Sequence, residues 1–245
     1  MSSPSTPAST DSFADAAGTD CLVSLVASLA DNKAALGQRY GEWAVSAPTL
    51  ESAVAAAAMA QDELGHARAT YPVLKQLGVA PAGEEAGGNR HLALLDDELP
   101  DWTSFVAANL LVDGMLTTFV AACRDSSNEQ LAQRARKILQ EEGSHRVHAE
   151  AWARRLCRRG GADRQALVAR LLEAWEQASR WPGPGDDPGF RAAVDERLVA
   201  HGPDHLRDQM TSWLTSLLAA QDTTIALEPP TDWSRWDADR RRWER

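Results

Sequence analysis

Apolar side chains recur every three or four residues along four long stretches of the chain, the pattern of helices with one buried face. The first stretch covers residues 20–45 and places five aliphatic side chains on one side: Leu22, Leu25, Val26, Leu29 and Leu36. The other three stretches cover residues 49–77, 101–124 and 128–159. The pattern therefore predicts four long helices in succession.

Residues that favour helix ends mark the limits of these stretches. Pro48 suits the first turn of the second helix, and Gly78 suits its end. Asp101 is the predicted N-cap of the third helix, and Gly160 and Gly161 end the fourth. Three shorter helices are predicted at 164–180, 188–200 and 204–226, with a Gly- and Pro-rich connection at 79–89 and a short helical piece near 91–97. This order predicts an all-α fold, a four-helix bundle with additional C-terminal helices.

Composition narrows the class of protein further. Residues 1–19 are rich in Ser, Thr, Pro and Ala, so we expect a disordered leader, a helical domain over 20–226 and a tail over 227–245. A formal net charge of −10 argues against a nucleic-acid partner, and the lack of a long uninterrupted apolar run argues against a membrane span. Cys21, Cys123 and Cys157 are isolated, which favours a reduced, cytoplasmic compartment.

Two Glu-x-x-His pairs carry most of the chemical information. They are Glu63 with His66 on the second helix and Glu142 with His145 on the fourth. Residues three apart lie on the same face of a helix, so each pair can direct both side chains at one ion. One such pair arises easily by chance, but the chain has six histidines and only these two follow a glutamate at this spacing.

A carboxylate is also available on each of the other two long helices. Glu42 lies near the end of the first helix, and Asp113 lies in the apolar third helix, where a carboxylate is unfavourable unless it is paired or bound to metal. Two Glu-x-x-His pairs with two further carboxylates form the ligand set of ferritin-like di-iron bundles. We therefore predict a ferritin-like bundle with two iron ions, or manganese as the alternative. Glu63 and Glu142 would bridge the ions, His66 and His145 would each bind one, and Glu42 and Asp113 would be terminal ligands.

Further residues have two interpretations each. The six candidate ligands could instead form ordinary ion pairs with Arg39, Arg68 or Arg146. Asp62 and Glu141 each precede a candidate ligand and could accept the imidazole N–H of the opposite pair, or they could be ordinary surface charges. Thr117 lies one turn after Asp113, where its hydroxyl could act as a catalytic proton relay or could bond back to a helical carbonyl.

The first two helices resemble a known family. Leu36-Gly37-Gln38-Arg39 with Glu42-Trp43, and Asp62 to Arg68 in the second helix, are similar to the subunits of ring-1,2-phenylacetyl-CoA epoxidase from phenylacetate catabolism. Those enzymes pair a catalytic di-iron subunit with a related structural subunit that has lost metal ligands. The first-helix motif is more similar to the structural subunit, whereas the ligand types are those of the catalytic one. The resemblance suggests a divergent or stand-alone member.

The resemblance implies an enzyme, a di-iron monooxygenase that activates O2 and oxidises a small organic substrate, aromatic or CoA-linked, by epoxidation, hydroxylation or N-oxygenation. It also implies a separate electron-donating reductase and either a homodimer or a heterodimer with a related subunit. Two alternatives are an iron- or peroxide-handling ferritin-like protein and a metal-free scaffold subunit. The tail, with Trp233, Trp236 and Trp243 beside three arginines, is expected to clamp onto the bundle or onto a second subunit.

Overall fold

A computed structural model of the chain describes residues 11–78 and 90–244. Within these residues the chain forms seven helices and one pair of very short strands. The helices are α1 (Asp11–Trp43), α2 (Leu50–Gln76), α3 (Trp102–Ala122), α4 (Glu129–Arg159), α5 (Gly161–Ala178), α6 (Pro188–Asp195) and α7 (Pro203–Ala219). A single 3₁₀ turn at Ala93–Leu95 precedes α3. The predicted all-α fold is confirmed.

The first four helices enclose one hydrophobic core and form a ferritin-like bundle. α1 packs along α2, and α4 packs against both α2 and α3. The shorter helices cover this bundle, because α5 lies on α3 and α4, α6 lies on α1, and α7 lies on α3 and α4. The three cysteines are buried and unpaired.

Polar residues cap the starts of three of the four long helices. Thr49, Asp101 and Asn128 each accept a hydrogen bond from a backbone N–H in the first turn of α2, α3 and α4, which satisfies a donor that would otherwise be unpaired. The largest difference is at the start of α1, which begins at Asp11 instead of residue 20. The Ala-rich segment before Asp20 continues the helix, and residues 1–10 and 79–89, which include most of the expected leader and the connection after α2, lie outside the described residues.

Two of the shorter helices end earlier than their apolar patterns indicate. α6 ends at Asp195 instead of residue 200, since Arg197 has a positive φ of 59° and the backbone N–H of Ala200 donates to Ala122 O of α3. α7 ends at Ala219 instead of residue 226, where Asp222 has a φ of 51°. In both cases the apolar residues after the helix remain in the core as turns or extended chain, which periodicity alone does not distinguish from helix.

α3 is the most apolar helix and has an unusual backbone. Its middle, Ala108–Asp113, is a π-helical segment between the α-helical parts Trp102–Ala107 and Gly114–Ala122. By length and composition alone α3 could cross a membrane, but 78% of its most apolar window is buried within the bundle. A core helix of this kind explains the composition. The π-helical segment ends on Asp113, one of the predicted ligands, and such segments frequently occur at functional sites.

The Trp- and Arg-rich tail clamps onto the chain's own bundle. Two short antiparallel strands, β1 (Trp236–Asp237) and β2 (Arg242–Trp243), fold it into a hairpin. The guanidinium of Arg241 is buried and donates to the carbonyl oxygens of Trp181 and Pro182 after α5. Arg242 forms an ion pair with Asp96, beside the 3₁₀ turn that precedes α3. The tail thus joins two connections that are far apart in the sequence.

Close approach of α1 to α2 depends on Gly37, and this yields a first prediction. A Cβ atom at Gly37 would lie 2.8 Å from Leu64 Cγ and 3.1 Å from the backbone oxygen of Ala60. We expect Gly37→Ala to lower the free energy of unfolding by about 1–3 kcal/mol because the helices must move apart. Chemical denaturation measures this change.

Gly65 provides the matched control, since a Cβ there would meet no atom within 4 Å. Gly65→Ala should raise the free energy of unfolding by about 0.5–1 kcal/mol through helix propensity alone. Equal effects of the two substitutions would contradict the role of Gly37 in helix packing.

Candidate functional site

A group of buried acidic and imidazole side chains lies at the centre of the four-helix bundle. Glu63 of α2, Asp113 of α3, and Glu142 and His145 of α4 each offer one possible ligand atom, and these atoms lie within 4.8 Å of one another. His66 of α2 adjoins them, with its Nδ1 atom 3.2 Å from Glu142 Oε1. The structure therefore brings together five of the six residues that the sequence indicates as metal ligands. We call these five residues the core cluster.

Lys33 of α1 projects into the middle of the core cluster. Its Nζ atom lies 3.0 Å from Glu63 Oε1, 2.6 Å from Asp113 Oδ1 and 2.5 Å from Glu142 Oε1. The side chain is completely inaccessible to solvent, which is rare for lysine unless its charge is paired. An ammonium group thus stands among three carboxylates, at the position where a shared cation would lie.

The two imidazoles are oriented by carboxylates behind them, in a crossed arrangement. His66 Nε2 pairs with Glu141 Oε2 at 2.7 Å, and His145 Nε2 pairs with Asp62 Oδ2 at 3.3 Å. Each carboxylate directly precedes a glutamate of the core cluster and serves the histidine of the other helix. The interpretation of Asp62 and Glu141 as partners of the histidines is confirmed. With Nε2 engaged in this way, both Nδ1 atoms face the interior of the bundle.

Tyr40, also on α1, contacts Asp113 of the core cluster and Asn109 of α3. Its hydroxyl lies 3.4 Å from Asp113 Oδ2 and accepts a hydrogen bond of 3.1 Å from Asn109 Nδ2. The tyrosine is fully buried, and the negative charge of Asp113 adds to the effect of burial, so the pKa of its hydroxyl lies well above the ordinary value. Asn109 belongs to the π-helical segment that ends at Asp113, so this segment supplies two members of the network.

Protonation in the core cluster follows from burial and from the neighbouring charges. Burial lowers the pKa of Lys33, but the charges of Asp113, Glu142 and Glu63 outweigh burial and raise this pKa well above its usual value. Burial likewise lowers the pKa of His145, whereas its hydrogen bonds to Asp113 and Glu63 raise it to about 11. Burial and the charge of Asp113 raise the pKa of Glu63 to about 8. The cluster therefore contains its own positive charges at neutral pH.

Glu42, the sixth predicted ligand, lies outside the core cluster. Its side chain is 35% exposed and pairs with Arg39, 3.1 Å away on the same helix. Position 42 follows position 33 by nine residues, which is about two and a half helical turns and about 13 Å along the axis. Glu42 therefore points away from the face of α1 that carries Lys33, and the structure does not bring it to the expected ligand position.

A cavity of about 450 Å³ adjoins the core cluster on the side of α7. Asp113, Glu142 and His145 form part of its wall, together with apolar side chains such as Leu139 and Trp213. Thr117 also lines this cavity, and its buried hydroxyl has no hydrogen-bond partner among the described residues. Bonding back to a helical carbonyl is found at the neighbouring Thr118, which donates to Gly114 O.

Sequence reasoning missed Lys33 and Tyr40, although the sequence contains a signal for both. Leu29, Lys33, Leu36 and Tyr40 follow one another at intervals of four, three and four residues, so all four lie on the apolar face of α1. A lone lysine in such a stripe must be neutralised by a buried partner. Glu42, the carboxylate expected on this helix, lies nine residues after Lys33 and thus on the opposite face.

The residues present do not fit a pair of metal ions. Such a centre takes a carboxylate from each of four helices in addition to the two histidines, whereas α1 contributes an ammonium group to this cluster. The Lys33 side chain and a cation bridging Glu63 and Glu142 would require the same space and the same oxygen atoms. The chain therefore differs from a di-iron centre in its own residues, since Lys33 occupies the space between the carboxylates.

Comparison with known proteins places the chain in a family. Residues 7–245 match the family described as phenylacetic acid catabolic protein. The chain belongs to that family. The resemblance in the first two helices is thereby confirmed, and it extends to the C-terminal third, where the sequence motifs gave little guidance.

The chain is also similar to one curated protein of known name. This relative is a subunit of the 1,2-phenylacetyl-CoA epoxidase of Escherichia coli (strain K12). The chain is 24% identical to this relative over 185 residues, and the match covers 73% of each chain. Family and relative together associate the chain with the oxygenase subunits of phenylacetate catabolism.

The role of Lys33 in stability leads to a second prediction. Lys33→Met removes the ammonium that contacts Glu63, Asp113 and Glu142 together, and these buried carboxylates lose their shared cation. We expect the free energy of unfolding to fall by about 3–5 kcal/mol, the usual effect of breaking a buried ion pair. The measurement is urea denaturation in a buffer that contains a chelator.

Lys137, an exposed lysine of α4, provides the control. Lys137→Met should change the free energy of unfolding by no more than about 0.5 kcal/mol. If the two substitutions had similar small effects, Lys33 would not be the neutralising charge of the core.

Proposed function

We propose that this chain is a non-catalytic subunit of a multicomponent oxygenase of the phenylacetate type, and that it works without metal ions of its own. The observation that carries the proposal is the position of the Lys33 Nζ atom, within 3.0 Å of the carboxylates of Glu63, Asp113 and Glu142. The family match and the name of the curated relative, which is part of an epoxidase, support a place in such an assembly. The chain would contribute a stable helical body that binds and supports a catalytic partner.

The surface around the connection from α1 to α2 supports this role. Val45, Leu50 and Val54 are large aliphatic residues, and their exposed fractions are 90%, 77% and 62%. Leu50 and Val54 lie one helical turn apart at the start of α2, so they share one face of that helix. Exposed apolar groups that share one face are typical of surfaces covered by another protein, such as a partner subunit.

Metal content tests the proposal directly. The full chain is purified, incubated with Fe²⁺ without oxygen, freed from unbound metal and analysed for iron. We expect less than about a tenth of an iron ion per chain, since an ion would have to displace a charged lysine from three carboxylates. Two iron ions per chain, with O2 consumption on exposure to air, would overturn the proposal.

A second candidate function is the metal-dependent oxygenase that the sequence suggests, with Glu63, His66, Asp113, Glu142 and His145 among its ligands. The crossed pairs of His66 with Glu141 and His145 with Asp62 favour it, because they direct both Nδ1 atoms inward as metal ligation requires. Bound iron would supply O2 activation in such an enzyme. Glu42 and Lys33 would then have to change position, and the iron analysis above decides between the two candidates.

The cavity beside the core cluster would hold the organic substrate of this second candidate. Its volume of about 450 Å³ and its mostly apolar wall suit a small aromatic or aliphatic molecule. The unpaired hydroxyl of Thr117 in that wall is the group that could transfer a proton at a bound substrate. In this candidate, Thr117→Val should lower the rate of substrate oxidation by about 10²-fold, measured as product formed with an electron donor present, whereas Thr118→Val should not.

A further inference from the structure

We propose that Lys33 stands in for a metal ion, and that a site for one divalent cation, made of Glu63, Asp113, Glu142 and His145, lies beneath its ammonium group. This inference rests on the proposed function, in which the chain works without metal. It adds that the wild-type chain keeps metals out through a single side chain of α1. The four donor residues themselves retain an arrangement that a cation can use.

The positions of the donor atoms provide the first support. Three carboxylate oxygens and one imidazole nitrogen lie within 4.8 Å of one another, at a depth where none of the four side chains is more than 3% exposed. The second carboxylate oxygen of Glu63, Oε2, is buried and has no hydrogen-bond partner among the described residues. An oxygen in this condition is unfavourable unless a cation or a donor reaches it. Lys33 donates to Oε1 of Glu63, whereas His66 Nδ1 lies 4.0 Å from Oε2, beyond hydrogen-bond distance.

The orientation of His145 provides independent support. Its Nε2 atom is held by Asp62, and its Nδ1 atom lies 3.1 Å from Asp113 Oδ2 and 3.2 Å from Glu63 Oε1. The inward nitrogen is therefore directed at Asp113 and Glu63, two of the three carboxylates that contact Lys33 Nζ. A histidine whose rear nitrogen is fixed by a carboxylate is the usual arrangement of an imidazole that binds metal.

Charge explains why Lys33 decides whether the site can bind metal. The lysine brings one positive charge to the cluster and touches three carboxylates at once. Without that amine the carboxylates would lose the one cation that contacts all three of them, in a medium that solvates charge poorly. A divalent ion would then restore the balance with one charge more than lysine provides. Three carboxylate oxygens with one imidazole nitrogen suit first-row divalent ions such as Mn²⁺, Fe²⁺ and Co²⁺.

The test compares metal binding by the full-length wild-type chain and by Lys33→Met, with Co²⁺ as the probe. Visible absorption and calorimetry should show about one Co²⁺ per chain in the variant, bound at least about 10-fold more tightly than by the wild type. Co²⁺ in large excess over its Kd should also raise the Tm of the variant by about 5 °C. The Tm of the wild type should stay unchanged.

Two further variants make the result decisive. Lys33→Met combined with Glu142→Gln removes one donor and should lose most of the gained affinity. Lys33→Gln keeps a neutral hydrogen-bonding side chain, and it replaces Lys33→Met in the comparison if that variant does not fold. A folded Lys33 variant that binds Co²⁺ no better than the wild type would overturn the inference. That outcome would leave the proposed function standing, since the proposed function depends on the iron content of the wild type.

Discussion

The burial of three carboxylates at the centre of a helical bundle is the physical constraint on which the rest of the structure depends. Charged carboxylates inside a protein are strongly unfavourable unless cations and hydrogen-bond donors compensate for the lost water. In this chain one lysine from α1 contacts a carboxylate from each of the other three helices of the bundle. Lys33 therefore joins all four helices at one point, and their relative positions are coupled to its charge.

The surrounding structure holds this central interaction in place. Gly37, one turn after Lys33, allows α1 to approach α2 closely. The crossed pairing of imidazoles with Asp62 and Glu141 connects α2 and α4 a second time, at the edge of the buried cluster. The π-helical segment of α3 supplies both Asp113 and Asn109. Each helix of the bundle thus contributes a polar residue that is satisfied only when the other helices are present, which favours one specific packing.

The sequence predicts the fold and most of the site for physical reasons that particular residues illustrate. Periodicity locates the four long helices, and Asp101 marks the start of the third because a cap acts locally. The spacing of Glu63 with His66 and of Glu142 with His145 guarantees a shared face on each helix. Convergence of these faces depends on helix packing, which a short motif does not encode.

The first helix shows where sequence reasoning reaches its limit. A motif containing Glu42 matches the expected residue type, but helix geometry directs position 42 away from the centre. Lys33 has the opposite charge from a carboxylate ligand, so its residue type does not indicate a place in the cluster. Its place on the apolar face, between Leu29 and Leu36, is the better guide. The positions of residues on the helix are more informative here than their chemical type.

The clamp formed by the tail has a consequence for how the protein is made. Arg241 fills a buried position beside Trp181 and Pro182, and Arg242 reaches back to Asp96. During synthesis on a ribosome, the seven helices of the described residues can form before these two arginines are available. The connections at 91–96 and 181–183 then remain without their partners for that interval. Completion of the native state therefore waits until Arg241 and Arg242 have been synthesised and can reach these connections.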